Sequence, residues 1–190
     1  MTEAQYLSGR LLLAMPGMFD PRFDHAAIAL CVHDEHGAMG LGLGQPRPGI
    51  TFRALLEDVG IDPGLADDRP VLDGGPVEKG RGFVLHSDDW GGEGTLLVHP
   101  LGALSGTLDV LRAIAEGRGP RHWLFALGYA GWGPGQLEEE MRHHGWYAAS
   151  VRPELLPELL FQTRAQDLWT ATWRAEGIDP ALLASETGHA

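Results

Sequence analysis

The sequence predicts an α+β fold: a single domain on a mixed β-sheet that is strongly bent or twisted, with helices packed mainly on one side. Three observations predict it. Strand-length apolar runs cluster in the N-terminal half, and hairpin-like turns join them. The clearest helical periodicity enters late, at 107–117, 134–145 and 164–176. Strand and helix do not alternate regularly, as a doubly wound sheet would require. At 190 residues, 44% apolar and 21% charged, the chain can bury a sizeable core as one domain, 1–190, with 1–8 and 184–190 as fraying tails.

Residues 10–15 read as a strand closed by Pro16 and Gly17, and Asp20-Pro21 then opens a turn carrying Phe23 and His25. A second strand covers 26–33, with Ile28, Leu30 and Val32 on one face and Ala29, Cys31 and His33 on the other. His36-Gly37 turns the chain back into 38–43, whose glycines at 40, 42 and 44 resemble a nucleotide fingerprint. That fingerprint needs a helix opening on its last glycine, whereas Pro46 and Pro48 follow here. The glycines are better explained by another element packing closely on the strand. Thr51 caps a short helix through Val59, with Phe52, Leu55, Leu56 and Val59 on one side.

Residues 62–69 form an acidic linker, and Val71-Leu72 enters the turn DGGP. Strands follow at 82–87, with Arg81 just before and His86 near the end, and at 96–98, with 101–105 pairing with the latter or looping. Thr107 caps a helix whose Leu108, Leu111, Ile114 and Ala115 share one side, ending at Gly117. Residues 123–130 are an almost unbroken apolar run, as in a strand covered on both faces in the middle of the fold. Gly131, Gly133 and Gly135 loosen the chain around Trp132, and a helix starts near Pro134, with Leu137 and Met141 inward and Glu138, Glu139 and Glu140 near its positive end. Residues 146–151 resemble a strand, PELLPELL breaks into short turns, and 164–176 is the last helix, ended by Gly177.

Fourteen basic against twenty-six acidic residues give a formal charge of -12, which opposes direct DNA binding. The glycine-rich turn before residue 136 lacks the Lys and Ser/Thr of a phosphate loop and is followed by three carboxylates. The only lysine is Lys79 and the only cysteine Cys31, which leaves one Schiff-base amine and excludes an internal disulfide. The N-terminus lacks the basic segment of a signal peptide, and no apolar run reaches membrane-spanning length, so the expected location is cytoplasmic, with no membrane partner.

Cys31, His33 and His36 have a C-x-H-x-x-H spacing that suits zinc, and the first two share a strand face by alternation. A buried cysteine is also a small apolar side chain and His36 falls in a turn, so core and turn roles are preferred, and no metal or cofactor is expected. His86 and Asp88 share a face if the strand persists, with Ser87 pointing away and no nucleophile elbow. Tyr129, Trp132 and Gln136 gather aromatics and an amide at a strand end, turn and helix start. The candidate ligand or partner surface is therefore Asp20, Arg81, His86, Tyr129, Trp132 and Gln136.

Several long motifs occur in order: LLLAMPGMFDPRF, CVHDEHGAMG, GGPVEKGRGFVLHS, LDVLRAIAEGRGP, LGYAGWGPGQLEEE, LLFQT, GID and the C-terminal GHA. Together they resemble the AlgH/YqgE family of bacterial proteins over nearly the whole chain. The resemblance implies a compact α+β fold with a strongly bent sheet in a cytosolic protein of unsettled role, sometimes labelled a transcriptional regulator. It implies no catalytic residue. Two positions depart from the family pattern: Gly44 stands where Asn-x-Pro usually begins, and His144, Gly145 and Trp146 stand where Asn-Ala-Trp is usual.

Two functions follow. The first is a non-enzymatic module that binds a protein or small-molecule ligand in a regulatory role. The alternative is a small hydrolase with a histidine/carboxylate site near His86 and Asp20. A cleft joining Asp20, Arg81, His86 and Tyr129 would favour the enzyme.

Overall fold

The computed structural model describes residues 5–18 and 20–186; the GHA tail lies outside them. In chain order come β1 (Leu11–Ala14), β2 (Ala27–Asp34), β3 (Gly37–Gly42), β4 (Pro46–Thr51), α1 (Phe52–Asp58), β5 (Pro70–Asp73), β6 (Val77–His86), β7 (Leu96–Val98) and β8 (Gly102–Ser105). Then follow α2 (Leu108–Ala115), β9 (Trp123–Trp132), α3 (Gln136–Arg142), β10 (Trp146–Ala149), α4 (Leu156–Gln162), α5 (Leu168–Ala175) and α6 (Pro180–Glu186). The fold class agrees with the sequence. The strands form one sheet in the order β10-β1-β2-β3-β9-β6-β8-β7, with β5 pairing β4 on one side and β9 on the other.

The apolar run at 123–130 is the strand on which everything meets. The first half of β9 runs parallel to β5, through Leu72 opposite Ala126, and antiparallel to β6, through Phe83 opposite Ala126. Its last residues pair instead with β3, through Ala38 opposite Trp132. The sheet forks between these pairings, at Gly128, whose φ of 79° lies in the left-handed region where glycine carries no Cβ penalty. A Cβ on Gly74 would stand 2.1 Å from the Gly128 carbonyl oxygen, so the two backbones approach as only glycine permits.

Alternation along the strands sorts the core into three clusters. Leu11, Leu13, Ala29, Leu41, Leu85 and Ala126 face α4 and α5, where Leu160, Leu168 and Trp173 close over them. On the other face Val84, Phe125 and Leu127 pack under α1 and α2, and Leu12, Ile28, Ala130 and Trp132 pack with Leu137 of α3. One-sided helix packing thus describes α1 to α3, and the C-terminal helices take the opposite face. Burying each such side chain contributes at most about 1.5–3 kcal/mol.

Local details differ from expectation for physical reasons. β4 forms through Pro46 and Pro48 because it pairs only with β5 and its proline nitrogens need no ladder partner. PELLPELL is not a set of short turns: a single 3-10 turn leads into α4, with Pro157 in the first turn, where its missing N–H costs nothing. The expected 164–176 helix begins later, at Leu168, after a 3-10 turn at Ala165–Asp167. Thr51 caps α1 as expected, accepting from the Ala54 N–H at 3.4 Å, whereas the Thr107 hydroxyl donates to the Asp109 carboxylate and makes no side-chain cap.

Candidate functional site

Phe83 and Met39 belong to the cluster that α4 and α5 close over, but where β9 passes from β6 toward β3 no residue of either helix lines the opening beside them. An open cleft of about 600 Å³ lies there, lined by Met39, Arg81, Phe83, Leu104 and Tyr129 among others. Strand alternation puts Arg81 and Phe83 on the same face of β6, and the guanidinium sits 5.1 Å from the Phe83 ring centroid. Tyr129 meets Phe83 edge-on at 5.9 Å, in the T-shaped arrangement favoured by ring quadrupoles. Arg81 also pairs with Glu78 at 3.3 Å; both side chains are more than half exposed, so the pair is weak and the guanidinium is available. Among the described residues no carboxylate, histidine, cysteine or serine lines the cleft. Its chemistry is apolar contact plus a directional cation.

The six sequence candidates divide. Arg81, Tyr129 and Trp132 line this cleft, but the Trp132 ring is core: it is 7% exposed and meets Trp146 at 5.9 Å, and its Nε1–H donates to Glu140 at 2.6 Å. Gln136 holds the turn instead of facing a ligand, its Oε1 accepting from the Gly133 N–H at 3.0 Å. Asp20 is the cap of a 3-10 turn and pairs with Arg22 at 2.7 Å; that hydrogen bond holds its carboxyl below the ordinary value. Arg22 and Gly44 line a separate hollow of about 170 Å³ that shares no lining residue with the cleft. At Gly44 a Cβ would meet nothing closer than 3.6 Å, so backbone crowding does not require glycine there.

His86 stands apart from all of these. It is fully buried, its Nδ1–H donating to the Ser87 carbonyl and its Nε2 accepting from the Ser105 hydroxyl, both at 2.8 Å. Thr95 in turn donates to Ser105 and accepts from the Gly92 N–H, so every group in the chain has a partner. Burial lowers the His86 pKa, against the opposing pull of the Ser87 carbonyl and Asp89. β6 ends at His86, so the alternation that would set Asp88 beside it stops, and the Ser87 hydroxyl donates to Asp89. Asp20, Arg81, His86 and Tyr129 therefore do not converge, and the geometry gives the hydrolase alternative no support.

The zinc-like spacing also comes apart. A bulge in β2 shifts the register between Leu30 and Val32, which reverses the alternation beyond it. Cys31 stays in the cluster under α5, while His33 turns to the α3 side and donates from Nε2 to Glu138 at 2.7 Å. Its Nδ1 accepts from the Leu7 N–H, which fixes the tautomer and ties the N-terminal segment to β2. Met39 and Phe83 were missed as site residues. For Phe83 the signal was present, two positions from Arg81 in one strand.

The bent sheet forked at a glycine and the motif order meet in one comparison: a family model described as AlgH-like matches residues 11–181. The chain belongs to the AlgH-like family. A UPF0301 protein of Novosphingobium aromaticivorans is 68% identical over 190 residues, covering all of both chains, and one of Rhizorhabdus wittichii is 57% identical, covering 97% of each. The solution structure of AlgH from Pseudomonas aeruginosa, 36% identical, superposes with a TM-score of 0.74 over 100% of this chain and 99% of that one. A Corynebacterium diphtheriae protein at 19% identity and a TM-score of 0.71 shares the fold, covering 97% of this chain and 94% of its own. Among the described residues no helix is long and apolar enough to cross a membrane.

Proposed function

We propose that this AlgH-like chain is a non-enzymatic, cytoplasmic binding module whose Arg81–Phe83–Tyr129 cleft takes a segment of a partner protein in a regulatory role. The observation that carries this is the cleft itself: aromatic rings beneath an available guanidinium, the side chains that dominate protein recognition. Small-molecule sites enclose most of their ligand, and this one is open. Its apolar strip also runs on to the sheet edge. Leu104 pairs across to Leu96 on β7, which is 41% exposed. Supporting the non-catalytic part, His86 has both nitrogens engaged within the core, and burial pushes the Cys31 thiol up to about 12. Direct DNA contact is excluded from the proposal by the charge of -12.

The test is a photo-crosslinking residue placed at Met39, followed by reconstitution with the purified captured protein. Arg81→Ala and Tyr129→Ala should each weaken that complex about tenfold or more while leaving the urea midpoint near wild type. Unchanged affinity in both variants, or substrate turnover lost in His86→Ala, would reject the proposal.

A further inference from the structure

A second hollow, of about 310 Å³, lies between the sheet and the C-terminal helices and shares no lining residue with the cleft. Its walls come from both layers of the fold. Leu43 and Leu72 rise from the sheet, and Leu160, Phe161 and Leu168 descend from α4 and α5. Four of these five are buried members of the main core, so the hollow opens directly into apolar interior. The polar lining residues are Arg69, Thr163, Arg164 and Gln166, with no carboxylate among the lining side chains.

These polar groups gather on the solvent side, where the chain leaves α4 and enters α5. The Arg69 guanidinium is fixed in place: it stacks 4.3 Å from the Trp123 ring, donates from Nη1 to the Trp123 carbonyl at 2.7 Å and pairs through Nη2 with Asp67. Among the described residues Arg164 is bound only through Nε, to Asp167 at 2.9 Å, which leaves both its Nη groups to donate. The Thr163 hydroxyl is likewise unengaged among the described residues, and Gln166 is exposed. A mostly apolar cavity of this size with a few convergent donors has the make-up of a small-ligand site. Both arginines pair with aspartates outside the lining, so the donors left over, the Nη groups of Arg164 and the Thr163 hydroxyl, select an anionic acceptor, and leucine walls select a hydrocarbon body.

We infer that this hollow binds a small amphipathic monoanion, a carboxylate on an apolar chain or ring, with the carboxylate held by Arg164 and Thr163 beside Arg69 and the apolar part against Leu43, Leu72 and Leu168. The volume accommodates about ten groups the size of a methylene or water. Medium-chain carboxylic acids fit that measure. The overall charge of -12 disfavours polyanions but leaves a single carboxylate free to enter.

The experiment uses the full chain with methyl-labelled leucines, titrated with decanoate and with 1-decanol below their aggregation limits. Decanoate should shift the methyls of Leu43, Leu72, Leu160 and Leu168 and bind about tenfold tighter than decanol, as charge-assisted hydrogen bonds to arginine require. Arg164→Ala should abolish the preference for decanoate while keeping decanol binding, and Arg164→Lys should restore part of it. Tyr129→Ala, which disables the cleft, should leave decanoate binding unchanged, so the two sites fail or stand separately. Equal affinity for the acid and the alcohol in the wild type, or shifts confined to Leu104, the leucine that lines the cleft, would overturn the inference. So would the absence of any methyl shift at the highest soluble decanoate concentration.

Discussion

The glycines around Trp132 predict a turn with a surface aromatic, yet Trp132 ends β9, and its burial makes a quantitative prediction. The ring packs with Leu12, Ile28 and Leu137 and stands edge-on to Trp146, so Trp132→Ala removes a core side chain and undocks α3 from the sheet. Aromatic-to-alanine changes in cores cost about 3–5 kcal/mol, which would consume a large share of a single domain's net stability. Trp132→Phe keeps much of the ring but removes the Nε1–H donated to Glu140 at 2.6 Å, and should cost about 1–2 kcal/mol. A cycle with Glu140→Ala should return a coupling of about 1 kcal/mol if that bond matters. Equilibrium urea unfolding followed by far-ultraviolet circular dichroism measures each of these proteins without relying on tryptophan emission. Leu127→Ala, on the buried face of β9 and worth about 2–5 kcal/mol, is the internal standard. Should Trp132→Ala fall within about 0.5 kcal/mol of wild type while Leu127→Ala pays its full cost, the ring is not core and the docking of α3 described above is wrong.

Gly74→Ala should cost about 3 kcal/mol or more, or prevent folding, because its Cβ would meet the Gly128 carbonyl oxygen at 2.1 Å; a variant with wild-type urea midpoint refutes the close approach at the fork. Partial burial pushes the Asp89 carboxyl up, but the Ser87 hydroxyl and Arg121 N–H bonds outweigh it and leave the pKa below the ordinary 3.8. The depressed pKa means that Asp89 stabilises the fold above that value and ceases to as pH falls through its folded pKa. The stability gap between wild type and Asp89→Asn, measured by urea unfolding, should therefore hold from neutral pH to about 4 and close below it, and a gap that widens on acidification contradicts the assignment. Cys31, its thiol pushed up to about 12 by burial, should resist a disulfide reagent at pH ~8 in the native protein and react with one equivalent in urea; fast native labelling would show the cluster around it to be open.

The parts of the fold that were legible in the sequence are those where pattern and packing coincide. The run at 123–130 is apolar on both sides of its alternation because both faces of β9 are covered, and Leu111 and Ile114 mark the buried side of α2. The close-packing role of the GxGxG glycines was legible at Gly42, where a Cβ would stand 2.7 Å from the Asp73 carbonyl oxygen, but it does not hold at Gly44, where nothing lies closer than 3.6 Å. What failed did so for identifiable reasons. Prolines argue against a strand, yet β4 lies on the sheet's margin and tolerates them. Alternation assigned Cys31 and His33 to one face, and one extra residue in a bulge undid it. Residues of the candidate site were legible singly, as Arg81 beside a strand and Tyr129 near the end of another, but their convergence depends on pairings between distant segments. The hollow between Arg69 and Arg164 is of the same kind, since no local pattern announces two arginines ninety-five residues apart in sequence.

The position of β9 has a consequence for how the chain is made. β3 and β6 have no ladder between them; each pairs with β9. As the polypeptide emerges N-terminus first, β1, β2 and β3 can zip into one ribbon and β6, β7 and β8 into another, but no ladder joins the ribbons until residues 123–132 have been synthesised. Until then each presents an open edge, the hazard by which nascent sheets pair with the wrong neighbour. The strand then arrives as a splint, engaging β5, β6 and β3, and completion of the fold is tied to a late event in synthesis. A ribosome-stalled chain ending before residue 123 should therefore remain sensitive to protease throughout, and one extended past β10 should become resistant in a single step.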